Sequence, residues 1–440
     1  METNTVGDRN VAIGVGALTT YNPSSNEDSY NTAVGYNALV GDTTGKENTA
    51  FGAYALKSNT TADYNVAIGN YALYTQTTDG TNNVAVGRYS MYYNAAGDQN
   101  TAAGNNSLTA NTTGSNNTAV GFEAMNDNTT GGTTSAFGSY ALALVTTGAE
   151  HCAFGYNALK SITTSHNCCA FGAEALEANT AEHNCAFGFR TLEENTTGSK
   201  NTAMGNYALD DNTTGVQNTA IGYEALSDPS YNASYNTALG YQAGVNNESG
   251  QYNVFLGYQA CDTQTTADGC VNIGNNAGSG QNTTDDYQLY IARNTSAKGN
   301  AGCWIYSNSS GNCYQGSNNS SWSTTSDRRL KKNIVDSPKG LAEINQIRVT
   351  NFEYRLEEEI DMSEFPLADG PHQVVLGGGK EGQVQTGVIA QEVEEVFPES
   401  IMTSTKGAKT VDNDPITWAL IKAVQELSAE VASLKSQINN

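Results

Sequence analysis

The chain has 440 residues and a formal charge of −24, although only 15% of its residues are charged. The acidity comes from scarce bases, and such a surface repels nucleic-acid phosphates and anionic lipid headgroups, so no nucleic-acid partner is expected. No segment approaches the roughly 18 apolar residues that span a membrane, which excludes membrane insertion by a helix, and Met1-Glu2-Thr3-Asn4-Thr5 has neither the basic nor the apolar region of a secretory signal.

Residues 1–9 read as an attachment segment. From residue 10 to about 280 the chain repeats. The glycine of Asn-Thr-Ala-x-Gly recurs from Gly14 and Gly35 through Gly52, Gly69 and Gly87 to Gly257 and Gly274; after a first step of 21, every spacing is 16, 17 or 18, giving sixteen copies. Thr118-Ala119-Val120 before Gly121 alternates like a short strand. Runs such as Asn111-Thr112-Thr113-Gly114 supply turn residues. A period of 17 is too short for paired helices and suits one coil of a β-solenoid or β-roll, whose coils bury apolar side chains only by stacking. Sixteen coils about 4.8 Å apart make a rod of roughly 75 Å.

Each position in the copy has its own chemistry. Val34, Phe51, Ile68, Phe154, Phe171 and Phe187 stand immediately before the glycine, and the expectation is that they fill the coil. Ala33, Ala50 and Ala119 stand two before it, and this small face is expected to lie toward a three-fold axis. Leu39, Leu56, Met125 and Leu159 stand four after it. Asn occupies the position four before the glycine in twelve of sixteen copies, including Asn31, Asn48, Asn65 and Asn100, which predicts a ladder of side-chain amides, each bonding the next. Cys152, Cys169 and Cys185 share one position and predict a thiol column. His151 beside them makes a metal site the alternative to simple half-buried thiols. No Cys-x-x-Cys pair occurs among the eight cysteines, so a zinc ribbon is excluded, and neither cofactor nor metal is expected.

The period fades from about Gln281. Tyr287 to Ala292 reads as a strand, and 281–325 as a stem or exposed connector with Trp304 and Trp322 as apolar anchors. Residues 326–440 are ordinary mixed sequence. Ser337-Pro338 suggests a helix start, with Leu341, Ile344 and Ile347 on one face. Val349 to Arg355 reads as a strand, 357–383 as a loop-rich excursion, and Gln385 to Ile389 as a strand leading into a helix that Pro398 stops. Leu420, Val424, Leu427, Val431, Leu434 and Ile438 are spaced 4, 3, 4, 3, 4, an a/d seam over about 416–438.

Ser326-Asp327-Arg328-Arg329-Leu330-Lys331 stands where the repeats give way to mixed sequence. Together with Thr386-Gly387-Val388-Ile389-Ala390-Gln391-Glu392-Val393 and the terminal Ala419 to Leu427 segment, it resembles the endosialidase-type intramolecular chaperone, the self-cleaving C-terminal domain of trimeric phage tail spikes and fibres. The repeats are also similar to the head coils of trimeric adhesins, an analogy of architecture. The chaperone resemblance implies Ser326 as nucleophile, Lys331 as general base, a cut between Thr325 and Ser326, supporting roles for Asp327, Arg329, Gln391 and Glu392, and a trimeric coiled coil. Arg328, Arg329 and Lys332 have the sign of charge that favours the neutral lysine a Ser-Lys pair needs.

The resulting expectation is a mainly β, homotrimeric solenoid rod followed by an α+β chaperone domain. It would be made in a host cytoplasm and carried on a virion as a tail fibre, with a host-surface glycan or protein receptor and a virion baseplate or other fibre protein as partners. The tyrosines after the glycine, such as Tyr36, Tyr71 and Tyr223, either touch the host or pack between coils. The alternatives are a polysaccharide-degrading tail spike, against which the acids look scattered, and a cellular surface adhesin.

Overall fold

A computed structural model of the protein describes residues 7–24, 27–227, 233–263, 266–279, 286–292, 303–307, 313–315, 332–353, 355, 359–364, 384–403 and 408–438. The chain divides into two compact units, residues 1–322 and 323–440.

The first unit is the expected solenoid. Each copy of the motif forms one three-residue strand, from Val11–Ile13 to Val271–Ile273. Each pairs in parallel with the same residues one coil on, as Ser135↔Cys152 and Phe137↔Phe154. The ladder continues around the turns: Met125 N–H donates to Ala141 O at 3.0 Å and Thr129 N–H to Thr146 O at 2.8 Å. Backbone groups that the narrow coil would otherwise bury unpaired are thereby satisfied. At the far end, Leu289–Ala292 joins in parallel, and Cys303–Ser307 then Cys313–Gln315 add on in antiparallel. Part of the expected connector is therefore sheet that continues the rod.

The structure reverses the expected inner and outer faces. Ala33, Ala50, Ala119 and Ala170, two before each glycine, are fully buried with Leu39, Leu56, Met125 and Leu159. The large residues before the glycine point outward: Ile13 is 60% and Phe51 57% exposed. Phe137, Phe154, Phe171 and Phe187 form a parallel ring stack on that outer face, centroids 4.6–4.8 Å apart. The reason is parity. The Asn four before the glycine must face inward to reach buried backbone, and successive strand residues alternate faces. Positions four and two before the glycine therefore go in, and positions three and one before it go out.

The inward face has room for one Leu row among alanines. Where Phe255 takes the Ala position it is fully buried, and the Leu position beside it is Gly244, whose missing side chain would collide with the Phe255 ring. Volume is conserved across the pair, the substitution pattern that cores tolerate best.

Two asparagine columns run through the interior. In the first, Asn48 Oδ1 accepts the N–H of Asn65 at 3.0 Å, while Asn48 Nδ2 donates to Ala62 O at 2.8 Å. These side chains bond backbone, not each other as the sequence suggested. Amide-to-amide bonding belongs to the second column, inside the polar turn: Asn111 Nδ2 donates to Asn94 Oδ1 at 2.6 Å and Asn128 Nδ2 to Asn111 Oδ1 at 2.9 Å. Asp42 stands in that second column. Burial pushes its carboxyl up to about 8, against the pull of the Gly45 N–H that it accepts.

Among its described residues the second unit contains three α-helices, α1 (Leu341–Ile344), α2 (Ala390–Val396) and α3 (Asn413–Ile438), with strand pairs Thr350–Phe352 with Gln385–Gly387 and Ile401–Thr403 with Lys409–Val411. The second pair is not among the elements expected from sequence. Val393, Phe397 and Ala419 centre its core, with Ile344, Ile347, Ile401 and Val411 packed around them. Helix α1 starts after Gly340, three residues later than Ser337 suggested. A glycine has no capping side chain, so Glu426 of α3 accepts the Leu341 N–H at 2.8 Å and Glu343 accepts that of Gly340 at 2.8 Å. Pro398 ends α2 as expected and opens a short 3₁₀ turn. No helix among the described residues is long and apolar enough to cross a membrane.

Candidate functional site: the C-terminal unit and the rod surface

Thr386 to Val393 builds the scaffold of the second unit. Thr386 Oγ1 donates to Asn351 Oδ1 at 2.7 Å across the strand pair. The chain then enters α2, whose Val393 is buried. Glu392 lies in the first turn of α2 and accepts from two of the three guanidinium nitrogens of Arg348, Nε at 3.1 Å and Nη2. That guanidinium holds the Glu392 carboxyl below its ordinary value and keeps Arg348 above its own. Gln391 is exposed beside it. At the other end of α2, Lys339 Nζ sits 4.5 Å from the Phe397 ring centroid, 3.2 Å from Glu399, and bonded to Val396 O. Neither Arg348 nor Lys339 was singled out from sequence, because their partners lie 44 and 60 residues away. Thr325, Ser326, Asp327, Arg329 and Lys331 lie outside the described residues.

Helix α3 uses its two sides differently. Ala419 and Ala423 are buried against its own unit. Leu420, Val424, Leu427, Val431, Leu434 and Ile438, the predicted seam, are all exposed on the single chain.

On the rod, Cys152, Cys169 and Cys185 pair in register as one outward column. Burial, then the neighbouring thiols, push Cys169 up to about 12. His151 is on the opposite, inward face and is 3% exposed. Strand alternation thus separates the two parts of the metal site that the sequence raised. His151 instead replaces an asparagine of the first column: its Nε2 donates to Ser165 O at 2.9 Å and its Nδ1 accepts the Cys168 N–H at 3.3 Å. This requires the neutral ring. Burial lowers its pKa from 6.5 to about 4.

Stability at this coil is therefore complete above about pH 6.5, where the opened chain's histidine is also neutral, and falls as pH drops from 6.5 toward 4. Between pH 7 and pH 5, hydrogen exchange at Cys152 and Cys168, corrected for intrinsic rates, is expected to quicken on the order of tenfold relative to coils without histidine. His151→Asn removes that pH dependence. Equal pH profiles for the two proteins would refute the assignment.

The tyrosine rings mainly face one another. Tyr54 stacks on Tyr71 at 4.9 Å, Tyr71 on Tyr89 at 5.2 Å and Tyr74 on Tyr92 at 4.8 Å. The ring faces are used between coils, leaving edges and hydroxyls outward. The acids are less scattered than they looked. Carboxylate oxygens of Glu174, Glu177 and Glu193 lie within 4.8 Å of one another. Arg190 bonds Glu174 at 2.8 Å and lies 3.3 Å from Glu193. One coil on, burial and then Asp211 raise Asp210 to about 7. Glu177, Glu193 and Asp210 all stand five after a glycine, so aligning the copies could have revealed the cluster.

Residues 326–402 match the protein family described as chaperone of endosialidase, an intramolecular chaperone that cleaves itself. The match starts at Ser326 and includes the Thr386 to Val393 block. The seam of α3 lies beyond it. No curated protein matches the chain. A β-solenoid of about sixteen coils followed by such a chaperone segment is the architecture of a tail fibre or spike.

Proposed function

We propose that the protein is a trimeric viral tail fibre whose C-terminal unit assembles the rod and then cuts itself off between Thr325 and Ser326. The observation that carries this reading is the family match, whose first residue is the proposed nucleophile at the end of the repeat array. Ser326 Oγ attacks the Thr325 carbonyl, and Lys331 takes the hydroxyl proton and returns it to the Ser326 nitrogen as the peptide bond breaks. Water then opens the resulting ester. Arg328, Arg329 and Lys332 favour the neutral lysine that this step requires. The exposed seam of α3 supports self-association, since six apolar residues at heptad spacing are costly to leave in water. The released rod would meet the host surface.

Intact mass of purified, assembled protein is expected to show fragments 1–325 and 326–440, with a new N-terminus at Ser326. A single 440-residue species in a complete assembly would overturn the reading. Deleting residues 326–440 from the gene should give insoluble or monomeric rod, because many near-identical coils slip register easily. A soluble trimer from that deletion would remove the chaperone role.

A polysaccharide-degrading spike is the second reading. The Glu174, Glu177 and Glu193 cluster favours it, because glycan hydrolysis uses paired carboxyls. The Arg190 guanidinium already occupies that cluster. Release of reducing ends from host polysaccharide, lost in Glu177→Gln, would establish this activity.

A further inference from the structure

We infer that the outward strand face of the solenoid is an interface along which further copies of this chain pack side by side, making one fused rod. This deepens the trimeric reading and rests on it. The face consists of the residues three and one before each glycine: Thr118 and Val120 in one coil, Thr219 and Ile221 in another, Val254 and Leu256 in a third. Its row immediately before the glycine is apolar in every coil and uncovered on the single chain, with Ile13, Phe51, Ile68, Met204 and Leu239 all exposed, and the row three before it is Thr, Ser, Val or Cys.

Charge singles this face out. Two positions in each of sixteen coils make thirty-two residues, and none is Asp, Glu, Lys or Arg. Elsewhere on the coil surface charges are frequent: positions two and five after the glycine carry Lys57, Glu123, Lys160, Glu174, Glu177, Glu193, Asp210 and Glu224. A strand face that stayed in water would have no reason to exclude charge, and a continuous apolar patch of this kind marks an interaction surface. Two chains of charge −24 repel each other everywhere except across such a stripe.

Periodicity selects the occupant. The stripe repeats once per coil along its whole length, so side-chain-by-side-chain packing needs a partner with the same rise per residue row. A second copy of the chain in parallel has that rise by construction. The exposed seam of α3 calls for copies of the same chain independently. Cys152, Cys169 and Cys185 lie on this stripe, so thiols of different copies would meet there.

The test uses the full chain carrying Cys152→Ser, Cys169→Ser, Cys185→Ser and Cys313→Ser. In this background Thr219→Cys places a thiol on the stripe and Thr197→Cys places one on the exposed opposite turn. Oxygen with copper phenanthroline converts two thiols to one disulfide and accepts the two electrons. Three thiols around one axis can form one disulfide, so Thr219→Cys should run on denaturing gels as about two-thirds covalent dimer and one-third monomer. Thr197→Cys should stay monomeric. In parallel, Ile221→Lys should raise the concentration needed for assembly at least a hundredfold while leaving each chain's protease resistance unchanged. If light scattering shows a trimer in which Thr219→Cys does not cross-link or Ile221→Lys assembles normally, the stripe is solvated and this inference alone fails. If the unmodified protein is a monomer, the trimeric reading fails with it.

Discussion

Ser326→Ala is expected to leave a single full-length band where the unsubstituted protein gives two, and Lys331→Ala is expected to do the same. Each removes one half of a nucleophile–base pair, and groups that act as a unit lose roughly three or more orders of magnitude in rate when either is lost. The effect should read as all-or-none, since the cut happens once per chain. Lys331→Arg should also fail: a guanidinium stays protonated at neutral pH and cannot accept the serine proton. The uncleaved variants should still assemble, because the chaperone fold is held by Val393, Phe397, Ala419 and the Glu426 contact to α1, all remote in sequence from Ser326. Mass spectrometry with native light scattering reads both outcomes. Cleavage at an unchanged rate in Ser326→Ala would remove that serine as nucleophile, and loss of assembly in the uncleaved variant would tie the cut to folding.

Gly69→Ala is expected to open the rod locally, whereas Ile68→Asp beside it is not. Gly69 has φ +139°, a conformation essentially reserved for glycine, and an added Cβ would lie 2.5 Å from the carbonyl oxygen of Gly87 in the next coil. Neither coil can yield, because both backbones sit in the parallel ladder: Gly69 N–H donates to Phe51 O and Gly87 N–H to Ile68 O, each at 2.8 Å. Strain and collision together cost about 3 kcal/mol or more, equivalent to faster exchange by about two orders of magnitude. The damage should stay within the neighbouring coils, since each coil touches only its neighbours. Ile68 points away from the coil interior, so an aspartate there leaves each chain's own coil closed, whatever it does to packing between copies. Hydrogen exchange over residues 50–90 separates the two. Equal protection in Gly69→Ala and the unsubstituted chain would show that the glycine column is not required by geometry.

Much of the rod was legible because its information is local and repeated. The glycine spacing gave coil number and period, and the turn residues gave the corners. The a/d spacing gave α3. Inside and outside are the reverse of what side-chain size suggests, because parity along the strand overrides it. Phe, Ile and Val before the glycine look like core, yet Asn31, Asn48 and Asn65, three residues earlier, are the ones buried to satisfy backbone. A strand cannot turn both positions inward. The asparagine column and the alternation were both present in the sequence, and combining them would have placed the apolar stripe outside.

Other features had no such signal. Leu56 and Leu73 sit at φ near +49°, a conformation unusual for leucine, and every coil repeats it. Their N–H groups donate to the next coil, Leu56 to Ala72 O and Leu73 to Ser90 O, each at 3.0 Å, so the conformation is held by partners sixteen and seventeen residues away. The cap that Glu426 gives α1 and the Arg348–Glu392 pair join residues 85 and 44 apart. The sequence by itself determined the period, the coil count and the apolar spacing of α3, because these depend on which residues recur at what spacing. The tertiary structure alone decided which asparagines bond one another, the left-handed leucines, and which distant segments of the second unit pair. Those depend on contacts between coils and between distant segments, and spacing along one chain does not encode them.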